Sequence, residues 1–154
     1  MSQRFLYFAY GSNLKHQQME FRCPGSKYIK NYYLRDYELC FCWNGTSRSD
    51  GVANIIKISG SYVPGALWEI SKKNKRKLDK CEGFNLNPKV YNIDKFKLDG
   101  EEVIFYILNS NKCEKREPTD KYVSTITQGY KDCNLEMEYL TKILRKQNYN
   151  IKSF

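Results

Sequence analysis

The sequence predicts an α+β domain built as a small β-barrel with flanking helices. Three observations carry this expectation. Alternating, aromatic-rich segments recur over the first two thirds of the chain, one lysine-rich helical segment interrupts them, and two helical segments follow. Antiparallel strands with segregated helices define the α+β class. Closure into a barrel, complete or nearly so, would remove exposed sheet edges. One domain over residues 1–154 is the simplest organisation, and that length supports a core.

Each element has its own signal. Phe5 to Ala9 is a short apolar run and reads as a buried strand. Leu14 to Glu20 has weak helical character, and "RCPGS" (22–26) is a turn punctuated by Pro24-Gly25. "YELCFCW" (37–43) alternates as a strand does, and "NGTSRSDG" (44–51) is a loop. "VANIIKI" (52–58) and "YVPGALWEI" (62–70) read as a strand pair joined by a Ser-Gly-Ser turn. Pro64 in the second of them marks an edge or a bulge. The period then changes: "SKKNKRKLDKCEG" (71–83) opens on Ser71 as an N-cap and stops at Gly83. "KVYNIDKFKL" (89–98), the Asp99-Gly100 turn and "EEVIFYILNS" (101–110) form a hairpin. "NKCEKREPTD" (111–120) is a charged loop, at whose end Thr119 or Asp120 caps a helix running to about Tyr130. In "LEMEYLTKILRKQ" (135–147), Leu135, Tyr139, Leu140, Ile143 and Leu144 share one helical face.

Composition narrows the function classes. Hydrophobic residues at 41% and aromatics at 15% describe a globular chain and not a disordered one. A net charge of +9 permits contact with nucleic acid, yet the lysines spread along the whole chain, as on a solvated basic surface. Arg4 is followed by only six uncharged residues before Gly11, too few for a secretory signal. No apolar run approaches the roughly 20 residues of a membrane helix. The six cysteines, Cys23, Cys40, Cys42, Cys81, Cys113 and Cys133, include no CxxC spacing. They read as reduced and mostly structural, in a cytoplasm. A single histidine excludes a His-rich metal site, and His16 reads as a lone surface side chain.

Conventional catalytic patterns are absent: there is no GxGxxG and no Walker motif. Carboxylate chemistry remains. Most acids sit in charge-dense segments, whereas Glu82 lies between Cys81 and Gly83-Phe84, where a helix ends and a less polar stretch begins. It is either a solvated carboxylate at a helix end or, if shielded, a proton shuttle with a raised pKa. The other candidate is Tyr10-Gly11-Ser12-Asn13, a glycine loop at the end of a buried strand. Glycine lets a loop backbone approach a ligand without a Cβ in the way.

"FLYFAYGSNL" (5–14), "LDKCEGF" (78–84) and "EPTDKYVSTITQGYKDCNLEMEYLTKIL" (117–144) together resemble the γ-glutamylcyclotransferase family, and the segments between them follow its order and spacing. The resemblance covers nearly the whole chain. It implies a single γ-glutamylcyclotransferase-like domain, a small mixed β-barrel with flanking helices. It implies conversion of a γ-glutamyl amino acid or amine into 5-oxoproline and the free amino acid or amine, with no metal and no organic cofactor. By matching position, Tyr10, Gly11, Ser12 and Asn13 would cradle the γ-glutamyl group. Glu82 would be the catalytic acid/base, and Tyr122 of the PTxxY motif would help close the pocket. The expected partner is a small γ-glutamyl substrate, with no nucleic acid and no membrane; a homodimer is left open. Pro64, and Asn92-Ile93 after Tyr91, depart from the family pattern near the expected pocket mouth, which bears on substrate choice more than on reaction type. Two alternatives stand beside this reading: a cyclotransferase that deprotects a γ-glutamyl-tagged biosynthetic amine, and a non-catalytic basic binding module.

Overall fold

The computed structural model describes residues 3–43, 50–82, 91–108 and 114–151. The loop at 44–49, the helix stop at Gly83, the stretch to residue 90, Cys113 and the rest of 109–113 lie outside the described residues.

The chain is α+β, as its sequence predicts. Strands β1 (Arg4–Ala9), β2 (Lys27–Trp43), β3 (Val52–Ser71), β4 (Tyr91–Leu98), β5 (Glu101–Leu108) and β6 (Glu114–Lys115) form one sheet in the order β4-β5-β1-β3-β2-β6. The sheet is mixed, because β1 pairs parallel with β5 while every other ladder is antiparallel. Among the described residues four helices accompany it: α1 (His16–Arg22), α2 (Lys72–Cys81), α3 (Asp120–Asp132) and α4 (Met137–Lys146).

Among the described residues the ladder does not close into a barrel; β4 and β6 are its two edges. Side chains bridge part of the gap instead. Tyr91 Oη donates to the Ala53 carbonyl at 3.1 Å, and Leu108 N–H donates to Asn54 Oδ1 at 3.0 Å. Tyr32 of β2 stacks on Phe96 of β4 with ring centroids 5.2 Å apart. Among the described residues, the β4–β5 hairpin thus folds towards the β2–β3 ribbon without a backbone ladder to it. The interior is filled by Phe8, Phe41, Leu67, Ile70, Phe105 and Tyr130, all essentially inaccessible.

The two long strands correct the sequence reading. Residues 27–36 join 37–43 in one strand, and Ser59-Gly60-Ser61 is no turn between paired strands. Both halves of β3 pair with β2 instead, from Lys27↔Glu69 to Cys42↔Val52. The ladder shifts register at Tyr28/Lys30 and again at Arg35/Tyr37, where Asp36 and Gly60 have positive φ and Gly60 N–H donates to Asp36 Oδ1 at 3.1 Å. A glycine with φ > 0 serves a bulge as well as a turn. Pro64 lies beyond the last β1–β3 pair, Ala9↔Ala66, so β3 has no ladder partner on that side there. A proline without an N–H suits such a position.

Other local readings hold with shifted boundaries. Ser71 caps α2 by accepting from Asn74 N–H at 3.1 Å. Thr119, not Asp120, caps α3 by accepting from Tyr122 N–H at 3.2 Å. Asp99 and Gly100 both have positive φ, as a tight hairpin turn between β4 and β5 requires. The expected uniform pool of reduced thiols is corrected: Cys23, Cys40, Cys81 and Cys133 are free, whereas Cys42 is disulfide-bonded. Strand alternation puts Cys40 and Cys42 on one face, with their sulfurs 3.8 Å apart. No described helix is long and apolar enough to cross a membrane.

Candidate active site

Where β1 ends, the chain turns through Tyr10 and Gly11 into a 3₁₀ turn, Ser12–Leu14, before α1 begins. This turn starts without a side-chain cap, and Leu14 N–H donates to the Gly11 carbonyl at 3.1 Å. The N–H groups of Ser12 and Asn13 precede the first bond of the turn and have no acceptor within it. They are donors suited to an anion or a developing oxyanion.

Two glycines set the position of this turn. A Cβ on Gly11 would stand 3.0 Å from Ala53 Cβ and 3.7 Å from Tyr122 Oη, so Gly11 keeps open the gap between the turn and the opposite wall. The close approach to Ala53 is what calls for glycine there. Gly129 of α3 lets the helix press directly on the turn; a Cβ would meet Leu14 Cβ at 2.5 Å and Lys15 N at 2.7 Å.

Beneath the turn lies a cavity of about 190 Å³, large enough for a small molecule. All six residues expected from the sequence line it: Tyr10, Gly11, Ser12, Asn13, Glu82 and Tyr122. Pro64 does not; it is buried in β3. His16 is elsewhere too. Its ring packs against Tyr28 and Trp68, and its Nε2 lies 3.4 Å from Cys133 Sγ.

Glu82 is the C-cap residue of α2. Its N–H donates to the Leu78 carbonyl at 2.9 Å, and its own carbonyl accepts from Tyr91 N–H at 3.2 Å. The backbone is thereby clamped between α2 and β4. No hydrogen bond or ion pair among the described residues reaches its carboxyl group. Burial, opposed only in part by Arg22, raises the Glu82 pKa to about 7. A carboxyl group with that pKa exchanges protons in either direction near neutrality.

Tyrosines wall the cavity. Tyr10 Oη donates to the Tyr106 carbonyl at 2.5 Å, and Tyr106 Oη donates to Asp79 Oδ1 at 2.5 Å. Lys75 Nζ holds the other oxygen of Asp79 at 3.1 Å. Burial raises the pKa of Tyr7, Tyr10 and Tyr106 well above the ordinary phenol value, with the Asp79 hydrogen bond adding to the shift at Tyr106. These phenols therefore remain neutral donors at physiological pH. Tyr122 lies in the first turn of α3, where the Thr119 cap fixes it, and its Oη accepts from Ala53 N–H at 3.0 Å. Ser12 Oγ accepts from Gln18 Nε2 at 2.8 Å. Asn13 is spent on structure: its Nδ2 donates to Tyr7 Oη, and its Oδ1 accepts from both Gln18 and Arg22.

Sequence reasoning passed over Tyr7, Arg22, Asp79, Tyr91 and Tyr106, of which all but Asp79 line the cavity. Two signals were available. Asp79 stands three residues before Glu82 on one helical face, and Gln18 and Arg22 share the four-residue spacing that lets both reach Asn13.

The fold is α+β, and its pocket is of small-molecule size and holds the shielded Glu82 carboxyl group. The chain belongs to the gamma-glutamyl cyclotransferase, AIG2-like family, whose sequence pattern matches residues 7–125. It is 30% identical to the gamma-glutamylcyclotransferase of Bos taurus over 151 residues, covering 92% of this chain and 78% of that protein. It is 29% identical to the Homo sapiens gamma-glutamylcyclotransferase over 153 residues, with the same coverage. A solved structure of a gamma-glutamyl cyclotransferase superposes with a TM-score of 0.77 at 29% identity, covering 92% of this chain and 86% of the other.

Proposed function

We propose that this chain is a γ-glutamylcyclotransferase, converting a γ-glutamyl amino acid or γ-glutamyl amine into 5-oxoproline and the free amino acid or amine. Family membership and relatives of that name support the reaction class. The observation that carries the mechanism is the Glu82 carboxyl group, held near neutral pKa in the same cavity as the Ser12 and Asn13 N–H groups.

The reaction is intramolecular. Glu82 accepts a proton from the α-ammonium, and the freed amine attacks the γ-amide carbon of the same glutamyl unit. The carbonyl oxygen takes up charge and is met by the N–H groups of Ser12 and Asn13. Glu82 then returns its proton to the leaving nitrogen and the exocyclic C–N bond breaks; the ring nitrogen gives its remaining extra proton to the freed carboxylate, which passes it to the departing amine, and the neutral five-membered lactam remains. One carboxyl group serves these transfers, which is why a pKa near the working pH matters. Tyr10 and Tyr122 shape the walls that keep the glutamyl chain bent. Holding the reacting ends together supplies several kcal/mol of the barrier reduction.

The test is a substrate panel: γ-glutamyl-alanine, glutathione, γ-glutamyl-ε-lysine, and N-acetyl-γ-glutamyl-alanine. The first three probe the leaving group, and the strongest 5-oxoproline yield identifies the preferred class. The acetylated peptide lacks a nucleophilic amine and must be inert. If it is cleaved as fast as its parent, the cyclisation mechanism is wrong.

A further inference from the structure

We infer that Arg22 is the anchor for the α-carboxylate of the γ-glutamyl substrate, so that the site requires a free carboxylate on the glutamyl unit and not on the leaving group. The inference rests on the cyclotransferase reading and names the part of the substrate that the site recognises.

Arg22 is the last residue of α1 and the one cationic side chain among the described residues lining the cavity. It is half-buried, yet no described carboxylate lies within ion-pair distance; its hydrogen bond runs from Nη1 to Asn13 Oδ1 at 2.9 Å. A guanidinium has five N–H donors in a planar fork that matches a carboxylate. Sheltering such a group with most donors unused is unfavourable unless an anion arrives. The aim of the fork is also built. Asn13 is only 3% exposed, and its amide is fixed by Tyr7 and Gln18 at 3.0 and 2.9 Å as well as by Arg22. A buried amide held at both ends is a rigid support for a side chain that must meet a ligand.

The placement decides which carboxylate is met. Helix α1 is tied to α2, the helix that carries Glu82: Asn74 Nδ2 donates to the Pro24 carbonyl at 3.1 Å, and Cys23 Sγ lies 3.9 Å from the Asn74 carbonyl. Arg22 and Glu82 therefore share one wall, and the Arg22 charge is felt at Glu82. Val52, Ala53 and Tyr122 line the cavity from β3 and α3 and carry no charge. The substrate's α-amine must reach Glu82. Its α-carboxylate hangs from the same carbon and is delivered to the same wall. The leaving group is attached at the far end of the glutamyl chain and meets the uncharged side.

The test compares γ-glutamyl-ethylamide with its α-carboxamide analogue, and γ-glutamyl-ethylamide with γ-glutamyl-alanine, in wild type, Arg22→Gln and Arg22→Lys. A charge-assisted hydrogen bond corresponds to about 10- to 100-fold in binding. Wild type should prefer the carboxylate over the carboxamide by about that factor. Arg22→Gln should bring the ratio close to one, with Arg22→Lys in between. Because each ratio is taken within one preparation, partial misfolding of a variant does not alter it. Both ethylamide and alanine substrates should lose activity in equal measure. The acidic limb of kcat/KM should also move to higher pH in Arg22→Gln, since the neighbouring cation is gone. An unchanged carboxylate preference in Arg22→Gln overturns the inference, as does a loss confined to γ-glutamyl-alanine. A wild-type protein that forms no 5-oxoproline from any of them overturns the cyclotransferase reading itself.

Discussion

Replacing Glu82 by glutamine should make the protein more stable and almost inactive, and both effects have one cause. Burial raises the Glu82 pKa from 4.5 to about 7. Each pKa unit corresponds to ~1.4 kcal/mol, so keeping the carboxylate ionised in the cavity costs the fold roughly 3 kcal/mol above neutral pH. The sign follows from proton counts. Between pH 4.5 and about 7 the folded protein holds a proton that the unfolded chain has lost, so stability falls as pH rises through this window. Glutamine is nearly isosteric and carries no charge. The variant should therefore escape that decline, and its advantage over wild type should grow by roughly 2–3 kcal/mol between pH 5 and pH 8. For a chain of this size, that corresponds to a Tm gain on the order of 5–10 °C. Turnover should fall by about 10²–10⁴, the usual contribution of a positioned acid/base. Urea unfolding at pH 5, 6, 7 and 8 gives the first quantity, and 5-oxoproline formation gives the second. The reasoning is refuted if wild type and variant show parallel pH–stability curves. It is equally refuted if the folded variant keeps more than about a tenth of wild-type activity, against the loss expected of a missing acid/base.

Four other substitutions probe the scaffold. Gly11→Val should abolish 5-oxoproline binding, because its side chain must enter the gap where even a Cβ stands 3.0 Å from Ala53. Ser12→Ala keeps every backbone N–H and should cost only about 0.5–1.5 kcal/mol in kcat/KM; equal effects of the two would mean that the turn does not cradle the ligand. Gly129→Ala should lower stability by about 1–3 kcal/mol, as overpacking does, and reduce activity by displacing the turn; a thermal melt and a kcat/KM measurement check both, and an unaffected protein would contradict the packing. Tyr106→Phe removes the donor to Asp79 Oδ1. It should cost about 1.5–3 kcal/mol of stability, the range for hydrogen bonds to charged groups, and urea unfolding that finds no loss would show that water replaces the phenol.

The elements legible in the sequence are those specified by their own residues. The Asp99-Gly100 turn has the backbone signs that only such residues tolerate well, and Ser71 and Thr119 cap the helices they precede. The first half of β2 was not legible. Its residues 27–33 are all exposed or half-exposed, and they are a strand because β3 lies alongside. For the same reason the sequence at Gly60 reads as a turn: its positive φ is local, but the choice between turn and bulge belongs to the distant pairing partner. The site divides along the same line. The glycine turn and Glu82 stand in short motifs, whereas Tyr10 and Tyr106, which lock one wall, are 96 positions apart. Arg22 showed no sequence pattern beyond its spacing from Gln18, and its role emerges only once α1 and α2 are packed together. Cys42 is the converse case, where composition argued for reduced thiols and the fold brings a disulfide.

The central claim, that the substrate's own amine and not water attacks the γ-amide, is tested most directly by product balance. Purified protein is incubated with γ-glutamyl-alanine, and alanine, 5-oxoproline and glutamate are quantified over one time course. The account predicts alanine and 5-oxoproline in equal amounts with no glutamate formed. Alanine matched by glutamate would make the protein a hydrolase and contradict the account.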